Sequence, residues 1–396
     1  MLTTSPSADR VYLDNSATTA LCPAARGRML EAMDCYANPS SVHGAGRDAR
    51  SMVENARREV ARALGIMAPK PGELIFTASG TEADNLAILG TARAKARRTA
   101  NRILTTDSEH PAVREPLAAL EQEGFEIVRL STRGGMIDLD EACAAMDERL
   151  FMISMMLVNN ETGARYPLEK IFSAARRLAP RAILHTDAVQ GFLKVPFSAK
   201  SMGADLVTVS AHKIGGPKGV GALWINPALL TAKRIVPVTL GGGQESGFRS
   251  GTENTVGIAG FGAAAAAGMN SLSVDTAKMR RLREGLIARL AAELPEVRPN
   301  LPAGELAPHV LSLTLPRIKS ETMLNHLSGA GICVSAGSAC STHAKNKTSS
   351  ALLAFGLMPA EADSTIRVSI SPATTEEELD RFFVVLSEGV SRLVRF

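Results

Sequence analysis

The sequence of 396 residues predicts an α/β protein that has a large domain with a mainly parallel sheet and a smaller α+β domain. From residue 73 onward, short apolar runs rich in β-branched residues alternate with segments of helical spacing. This alternation indicates βαβ units and a sheet covered on both faces. Beyond about residue 265 the alternation stops. We therefore expect a large domain over residues 11–265 and a small domain over 266–396, completed by residues 1–20.

Each expected element follows from its local pattern. VYLDNSATT is a short strand entering a turn, and ANPSSVHGAGR is a loop rich in turn formers. The strands expected in the large domain are ELIFT, RILTTD, FEIVRL, MISMMLV, AILHTD, DLVTVS and GALWIN. Helices are expected at 48–64, 82–97, 111–124 and 168–178, followed by two helices between 253 and 293 that break near 271–273. The small domain has the strands VLSLTL, 332–334 and TIRVSI, and it closes with the amphipathic helix EEELDRFFVVLSEGVSRLV.

Composition indicates which kinds of binding partner and which cellular compartment to expect. A formal net charge of only +4 gives no reason to expect a nucleic-acid or membrane partner. No stretch reaches the length of a membrane span, and the N terminus lacks the apolar core of a signal peptide. The five cysteines include no CxxC pair, so we expect neither a metal site nor a disulfide framework. A reducing, cytoplasmic location is the simplest expectation.

The segment DLVTVSAHKIGGPKGVG, residues 205–221, carries the strongest chemical signal. It runs from a strand into Ser210, His212 and Lys213 and stops at glycines. A hydroxyl beside an imidazole suits a small anion. A lysine at the end of a buried strand can lose its charge by desolvation and become a nucleophilic amine. Taken alone, the segment leaves open a surface loop with a solvated lysine.

Polar residues also follow three other expected strands. Gly80 and Thr81 stand where a strand meets a helix, and backbone N–H groups at a helix N terminus favour an anion. His110 follows the next strand, and Asp187 and Gln190 follow a later one. Each could simply cap a helix. However, the carboxyl ends of parallel strands meet at one edge of a sheet, so we expect these side chains to lie close together.

Together these residues offer a phosphate site, a ring to stack on a planar ligand, a carboxylate and an amine. Pyridoxal phosphate (PLP) requires a lysine Schiff base and an acidic partner for its ring nitrogen. The set of strand ends therefore predicts PLP as the cofactor.

The motifs that carry this chemistry resemble those of a known family. LDNSATT, NPSSVHGAGR, FTASGTEADN, EHPAV, VNNETG, HTDAVQ, VSAHKIGGPKGVG, GGGQESGFRSGTEN, SAGSAC and IRVSI occur in the order seen in NifS/IscS-like cysteine desulfurases. That family belongs to the class V aminotransferase group of fold-type-I PLP enzymes. The resemblance spans about residues 11 to 371.

The resemblance implies a role at the cofactor for several residues. Lys213 would form the Schiff base with PLP. The residues implied for the phosphate are Gly80, Thr81, Ser210 and His212. Those implied for the ring are His110, which stacks on it, Asp187 at its nitrogen, and Asn160 and Gln190 at its substituents. Thr252 would reach the phosphate of the neighbouring subunit, so a homodimer is implied.

Cys340 separates desulfurases from aminotransferases. It lies in SAGSACSTHAKNKTSS, whose small and polar residues are typical of a mobile loop, where an exposed thiol can carry sulfur. An inert buried cysteine is the alternative, a role that Cys333 in its apolar context suits better. The segment departs from the family at KNKTSS, where an acid-Pro-Ser run is usual.

Arg367 in TIRVSI lies on the face opposite the apolar residues of its strand. Its planar fork suits the carboxylate of a substrate. The resemblance adds Asn38 as a second contact to that substrate. A surface charge on a strand is the alternative for Arg367.

The expected function is removal of sulfur from L-cysteine, which gives L-alanine and a persulfide on Cys340. Lys213 would act as the base, and His110 as an acid or base. The sulfur would pass to an iron–sulfur scaffold or another acceptor protein. A class V aminotransferase or a selenocysteine lyase is the alternative enzyme, and a non-catalytic sulfur-delivery subunit is the alternative from another class.

Overall fold

The computed structural model describes residues 10–94, 100–336 and 348–394. The strands in chain order are β1 (Val11–Tyr12), β2 (Leu74–Thr77), β3 (Arg102–Thr106), β4 (Glu126–Leu130), β5 (Leu150–Met156), β6 (Ala164–Arg165), β7 (Ile183–Asp187), β8 (Leu206–Ser210), β9 (Gly221–Ile225), β10 (Arg298–Pro299), β11 (Glu305–Leu306), β12 (Val310–Thr314), β13 (Ile332–Cys333), β14 (Ser335–Ala336) and β15 (Thr365–Ser369).

The helices in chain order are α1 (Pro23–Asp34), α2 (Gly44–Ala63), α3 (Gly80–Ala92), α4 (Pro111–Gln122), α5 (Leu139–Ala144), α6 (Leu168–Leu178), α7 (Ala199–Met202), α8 (Pro227–Thr231), α9 (Thr255–Glu293), α10 (Ser320–Gly329), α11 (Ser350–Phe355), α12 (Pro359–Ala362) and α13 (Glu376–Leu393). None of these helices is both long enough and apolar enough to cross a membrane. Single 3₁₀ turns lie at Arg133–Gly135, Ala211–Lys213 and Glu245–Gly247.

The large domain is built on a seven-stranded sheet in the order β2-β9-β8-β7-β5-β3-β4. The pairs from β8 through β7, β5 and β3 to β4 are parallel, while β9 runs antiparallel to both β8 and β2. The strands β5, β7 and β8 are buried along their whole length because helices cover both faces of the sheet. The predicted α/β class with a mainly parallel sheet is confirmed.

The small domain contains an antiparallel sheet in the order β10-β12-β15-β14, against which α10 and α13 pack. The N-terminal strand also joins this domain, since β1 pairs in parallel with β13 and Val11 and Leu13 are buried in its core. The N-terminal segment therefore runs from the small domain toward the carboxyl edge of the large sheet.

Helix α9 differs from the prediction. We expected two helices with a break near 271–273, but one helix of 39 residues runs through this region. The Ser271 hydroxyl donates to Asp275 Oδ2 at 2.5 Å, so its polar group is satisfied within the helix. Ile258, Phe261 and Ala265 pack in the large core, whereas side chains from Met279 onward pack in the small one. Packing at both ends outweighs the weak local preference of serine for a helix end.

Candidate active site

The carboxyl ends of β3, β5, β7 and β8 open on one cavity of about 920 Å³. The first turns of α3 and α4 form part of its wall, and the small domain adds Arg367 of β15 and residues near the start of α11. The predicted site residues that line this cavity are Gly80, Thr81, His110, Asn160, Asp187, Gln190, Ser210, His212, Lys213 and Arg367. The rule that parallel strand ends meet at one edge accounts for the residues that follow β3, β5, β7 and β8, whereas Arg367 reaches the cavity from β15 of the antiparallel sheet.

Lys213 ends the 3₁₀ turn that directly follows β8. Its Nζ donates to the carbonyl oxygens of Ser16 at 2.6 Å and Ala17 at 2.8 Å. The same N-terminal segment also contacts the residues just after this 3₁₀ turn, because the Thr19 hydroxyl accepts the Gly215 N–H at 2.8 Å. The motif LDNSATT thus fixes the amine at the cavity from a place nearly 200 residues away in the chain.

A candidate anion site lies where α3 approaches β8 and β9. Ser79 caps α3 by accepting the Glu82 N–H at 3.1 Å, and the next backbone N–H groups belong to the first turn, at Gly80 and Thr81. The Ser210 hydroxyl is buried and has no hydrogen-bond partner within the described ranges. A buried hydroxyl without a partner beside a helix N terminus fits a phosphate.

His212 lies beside this site. Its Nδ1 is 3.2 Å from the Thr18 hydroxyl. Burial, and then the charge of Lys213, lower the pKa of His212 to about 4. The imidazole is therefore neutral near pH 7 and offers a hydrogen bond to an anion without adding a charge of its own.

Asp187 is the last residue of β7 and is only 7% exposed. Its Oδ1 accepts the Val189 N–H at 2.9 Å, and burial raises the pKa of this carboxyl to about 6. Asp84 and Glu109 are buried nearby: burial and then Asp187 raise the pKa of Asp84, and burial raises the pKa of Glu109 to about 8. A buried group of carboxyls favours a ligand that carries a proton or a positive charge, as a protonated ring nitrogen of PLP does.

His110 caps α4, where its Nδ1 accepts the Ala112 N–H at 3.1 Å. Burial, followed by the charges of Lys213 and Arg114, lowers the pKa of His110 to about 4. Since Nδ1 is an acceptor, the neutral ring carries its proton on Nε2. A neutral imidazole in this position suits stacking on a planar ligand.

Arg367 is 4% exposed and is held on two sides. One Nη donates to Asp14 Oδ1 at 2.9 Å and the other to the Asn160 carbonyl oxygen at 2.9 Å. Glu161 lies next to this contact and accepts the Ser349 hydroxyl at 2.6 Å, while burial raises the pKa of Glu161 to about 7. The fork of Arg367 is therefore oriented before any substrate carboxylate arrives.

Two predicted residues that the structure describes, Asn38 and Thr252, lie away from the cavity. Asn38 is exposed, and its Oδ1 accepts the Ser40 N–H at 2.8 Å. Thr252 is exposed in the segment before α9, and neither residue lines the cavity. Cys340 lies outside the described residues. The next described residue, Thr348, lines the cavity.

Sequence reasoning missed several residues that complete this site. Asp14, Asp84, Glu109 and Glu161 all stand inside motifs quoted above, and two of them directly adjoin a residue that was singled out: Glu109 precedes His110 and Glu161 follows Asn160. Their spacing carried no signal of pairing: Asp14 pairs with Arg367 and Glu161 with Ser349, and both partners are distant in the chain. The two carbonyl oxygens that hold Lys213 belong to the backbone and have no sequence signature at all.

Comparison with known proteins gives consistent results. The family model described as "Aminotransferase class-V" matches residues 11–382. A protein named cysteine desulfurase from Trichormus azollae is 38% identical over 97% of this chain and 93% of its own length. Cysteine desulfurase IscS from Dictyoglomus turgidum is 36% identical over 97% of this chain and 95% of its own. A solved NifS-like protein superimposes with a TM-score of 0.88 at 35% identity, covering 96% of this chain and 99% of that one.

Proposed function

Because the chain belongs to the aminotransferase class-V family, we propose that it is a PLP-dependent cysteine desulfurase. The reaction converts L-cysteine and the Cys340 thiol to L-alanine and a persulfide on Cys340. The observation that carries the proposal is the convergence of Lys213, Asp187 and Arg367 on one cavity. Lys213 supplies an amine, Asp187 a carboxylate, and Arg367 a guanidinium that can bind the substrate carboxylate. These are the groups that this chemistry needs.

The residues of the cavity fit the cofactor in separate roles. The first turn of α3 together with Ser210 and His212 holds the phosphate, and Thr252 of the neighbouring subunit completes that site. Asp187 would hold a proton at the ring nitrogen, His110 would stack on the ring, and Asn160 and Gln190 would donate hydrogen bonds to the ring substituents. When bound, PLP supplies an aldehyde that condenses with amines and a ring that accepts electrons from the α carbon.

The substrate is bound and deprotonated by residues of both domains. Arg367, oriented by Asp14 and the Asn160 carbonyl, binds the carboxylate of L-cysteine. Asn38 does not line the cavity of its own chain, and its part as an accessory contact rests on the resemblance alone. Lys213 Nζ takes the α proton, and the carbonyl oxygens of Ser16 and Ala17 can hold the resulting ammonium. His110 moves a second proton as an acid or base.

Sulfur transfer requires a soft nucleophile. The Cys340 thiolate attacks the sulfur of the substrate and a new S–S bond forms. The C–S bond of the substrate breaks, and its electron pair stays on the carbon. That carbon then takes a proton and becomes the methyl group of alanine. We extend the proposal to delivery of the persulfide sulfur to an iron–sulfur scaffold or another acceptor protein, which rests on the resemblance alone.

The protein is proposed to act as a homodimer. Large apolar side chains near α1 and in the segment before α9 face solvent: Tyr36 is 91% exposed, Val42 89% and Leu240 79%. Large exposed apolar groups are typical of surfaces that bind another protein. Thr252 lies in the same segment before α9 as Leu240 and is exposed, as a residue that reaches a second copy must be.

A Cys340→Ser variant tests the function. Serine keeps the size but loses the thiolate, so we expect PLP binding and spectral changes with L-cysteine to persist. Alanine from a single turnover should fall by about two orders of magnitude or more. Mass spectrometry should find a persulfide on Cys340 in the wild type only. Cys333→Ser is the matched control and should leave both readouts unchanged. Assays contain no oxo acid, so that transamination cannot contribute.

Normal alanine yield from Cys340→Ser would contradict the proposal. A persulfide found on Cys333, with none on Cys340, would do the same.

A further inference from the structure

His309 is a buried histidine that connects the small domain to the wall of the cavity. It directly precedes β12, is 1% exposed, and accepts the Ile370 N–H on its carbonyl oxygen at 3.0 Å. Its strand pairs with β15, which carries Arg367. Its side chain crosses to the large domain, where Nε2 lies 3.3 Å from Gln190 Oε1. Gln190, which lines the cavity, is therefore in contact with His309, which adjoins the sheet that carries Arg367.

The hydrogen-bond partners fix the direction of this contact. Gln190 Nε2 donates to the Ser16 carbonyl oxygen at 2.9 Å, so the amide oxygen is the atom that faces His309. An amide oxygen only accepts, and His309 Nε2 must therefore carry the proton and donate it. This tautomer leaves Nδ1 as an acceptor, and Nδ1 has no hydrogen-bond partner within the ranges that the structure describes.

The surroundings keep His309 neutral. Burial is the main cause that holds the pKa of His309 well below its usual value, and positive charges add to it. Those charges are Lys194, Arg367, Arg283 and Lys213. A second proton on the imidazole is strongly disfavoured among these cations, so His309 presents one N–H to Gln190 as a neutral ring.

The orientation of Gln190 is linked to that of Lys213. The Ser16 carbonyl oxygen accepts both Gln190 Nε2 and Lys213 Nζ, the latter at 2.6 Å. A flipped Gln190 amide would set its oxygen against the Ser16 carbonyl oxygen and its amino group against the N–H of His309. Both contacts would then be repulsive. Removing the N–H of His309 eliminates one of the two contacts that exclude the flip.

We propose that His309 is a positioning residue for the cofactor site: its Nε2–H fixes the Gln190 amide so that the amino group stays on the side of the Ser16 carbonyl and the cavity. The proposal rests on the proposed function, since Gln190 acts on PLP only there. It adds a contact through which the small domain determines how the large domain binds the cofactor.

The test measures the dissociation constant of PLP by absorbance titration of the cofactor-free protein. His309→Leu removes the donor and leaves a buried amide oxygen unpaired, and we expect about tenfold weaker PLP binding. His309→Gln retains an N–H donor of similar reach and should bind PLP within about twofold of the wild type. His326→Leu is the control: His326 bonds the Val385 carbonyl oxygen at 3.1 Å in the same domain and does not line the cavity. It should lower Tm without changing PLP affinity.

A double-mutant cycle distinguishes positioning from general destabilisation. In a Gln190→Leu background, His309→Leu should produce no further loss of PLP affinity, because its effect passes through Gln190. His309→Met gives the same comparison if His309→Leu does not fold. Equal PLP affinity of His309→Leu and wild type, or additive losses in the cycle, would overturn the inference. Failure of the proposed function is distinguishable, since the wild type would then form no alanine from L-cysteine, whereas the PLP affinities of the His309 variants can still be compared with that of the wild type.

Discussion

At the level of single residues, Lys213 is the group on which the proposed chemistry depends. Lys213→Ala should abolish the absorbance of covalently bound PLP and reduce alanine formation by at least about three orders of magnitude. The protein should still fold, because the Ser16 and Ala17 carbonyl oxygens remain near a cavity that water can enter. Lys218→Ala, an exposed position in the same glycine-rich segment, is the matched control. Turnover by Lys213→Ala equal to that of Lys218→Ala would exclude the assigned role.

Glu109 makes a second prediction at this scale, which concerns pH. Burial raises the pKa of this carboxyl from 4.5 to about 8. The folded protein therefore binds this proton more tightly than the unfolded chain does. The resulting contribution to stability is complete below about pH 4.5 and is lost as the pH rises to about 8.

Glu109→Gln removes this titration while keeping an oxygen that can accept from the Thr106 hydroxyl and the Met156 N–H. The cofactor-free variant should gain stability relative to the cofactor-free wild type between pH 5 and pH 8, by on the order of a few kcal/mol. Urea unfolding at several pH values measures the difference. Glu123→Gln, at an exposed site, should show none. Parallel stability curves for Glu109→Gln and wild type would contradict the assignment.

At the level of elements, the anion site depends on how closely α3 approaches β9. A Cβ on Gly221, the first residue of β9, would lie 2.5 Å from the Ser79 carbonyl carbon and 2.7 Å from Gly80 N. These are backbone atoms, so the start of α3 must shift. We expect Gly221→Ala to weaken PLP binding at least about tenfold and to lower the free energy of unfolding by about 1–3 kcal/mol.

Gly27→Ala is the control for Gly221→Ala, because a Cβ at Gly27 in α1 meets nothing within 4 Å. It should raise stability by about 0.5–1 kcal/mol, since alanine favours a helix, and leave PLP affinity unchanged. Absorbance titration with PLP and urea unfolding supply both values. An unchanged PLP affinity in Gly221→Ala would show that the start of α3 does not form the phosphate site.

At the level of the whole molecule, the proposed site is shared between two copies. If Thr252 completes the phosphate site of the partner subunit, Thr252→Ala should weaken PLP binding by about tenfold while the dimer persists. Sedimentation measures the assembly and absorbance titration measures PLP affinity. Thr231→Ala, at an exposed position of α8, is the control. A fully active monomer would refute the shared site.

The sequence by itself determined the class of the fold, the succession of the main strands and helices along the chain, and several of the polar residues that line the cavity. It could do so because strand and helix periodicities are local, and because parallel strand ends share one edge of a sheet by a general rule. Lys213, Asp187 and His110 were found in this way, each at the end of its own strand.

Only the tertiary structure decided which groups hold those residues in place. Lys213 donates hydrogen bonds to carbonyl oxygens of the N-terminal segment, and Arg367 donates one to Asp14. Gln190 accepts a hydrogen bond from His309 across the two domains. Helix α9 is continuous because two separate cores pack along it. Such contacts join positions that are far apart in the chain. They depend on how the elements pack, and no local pattern of residues carries that information.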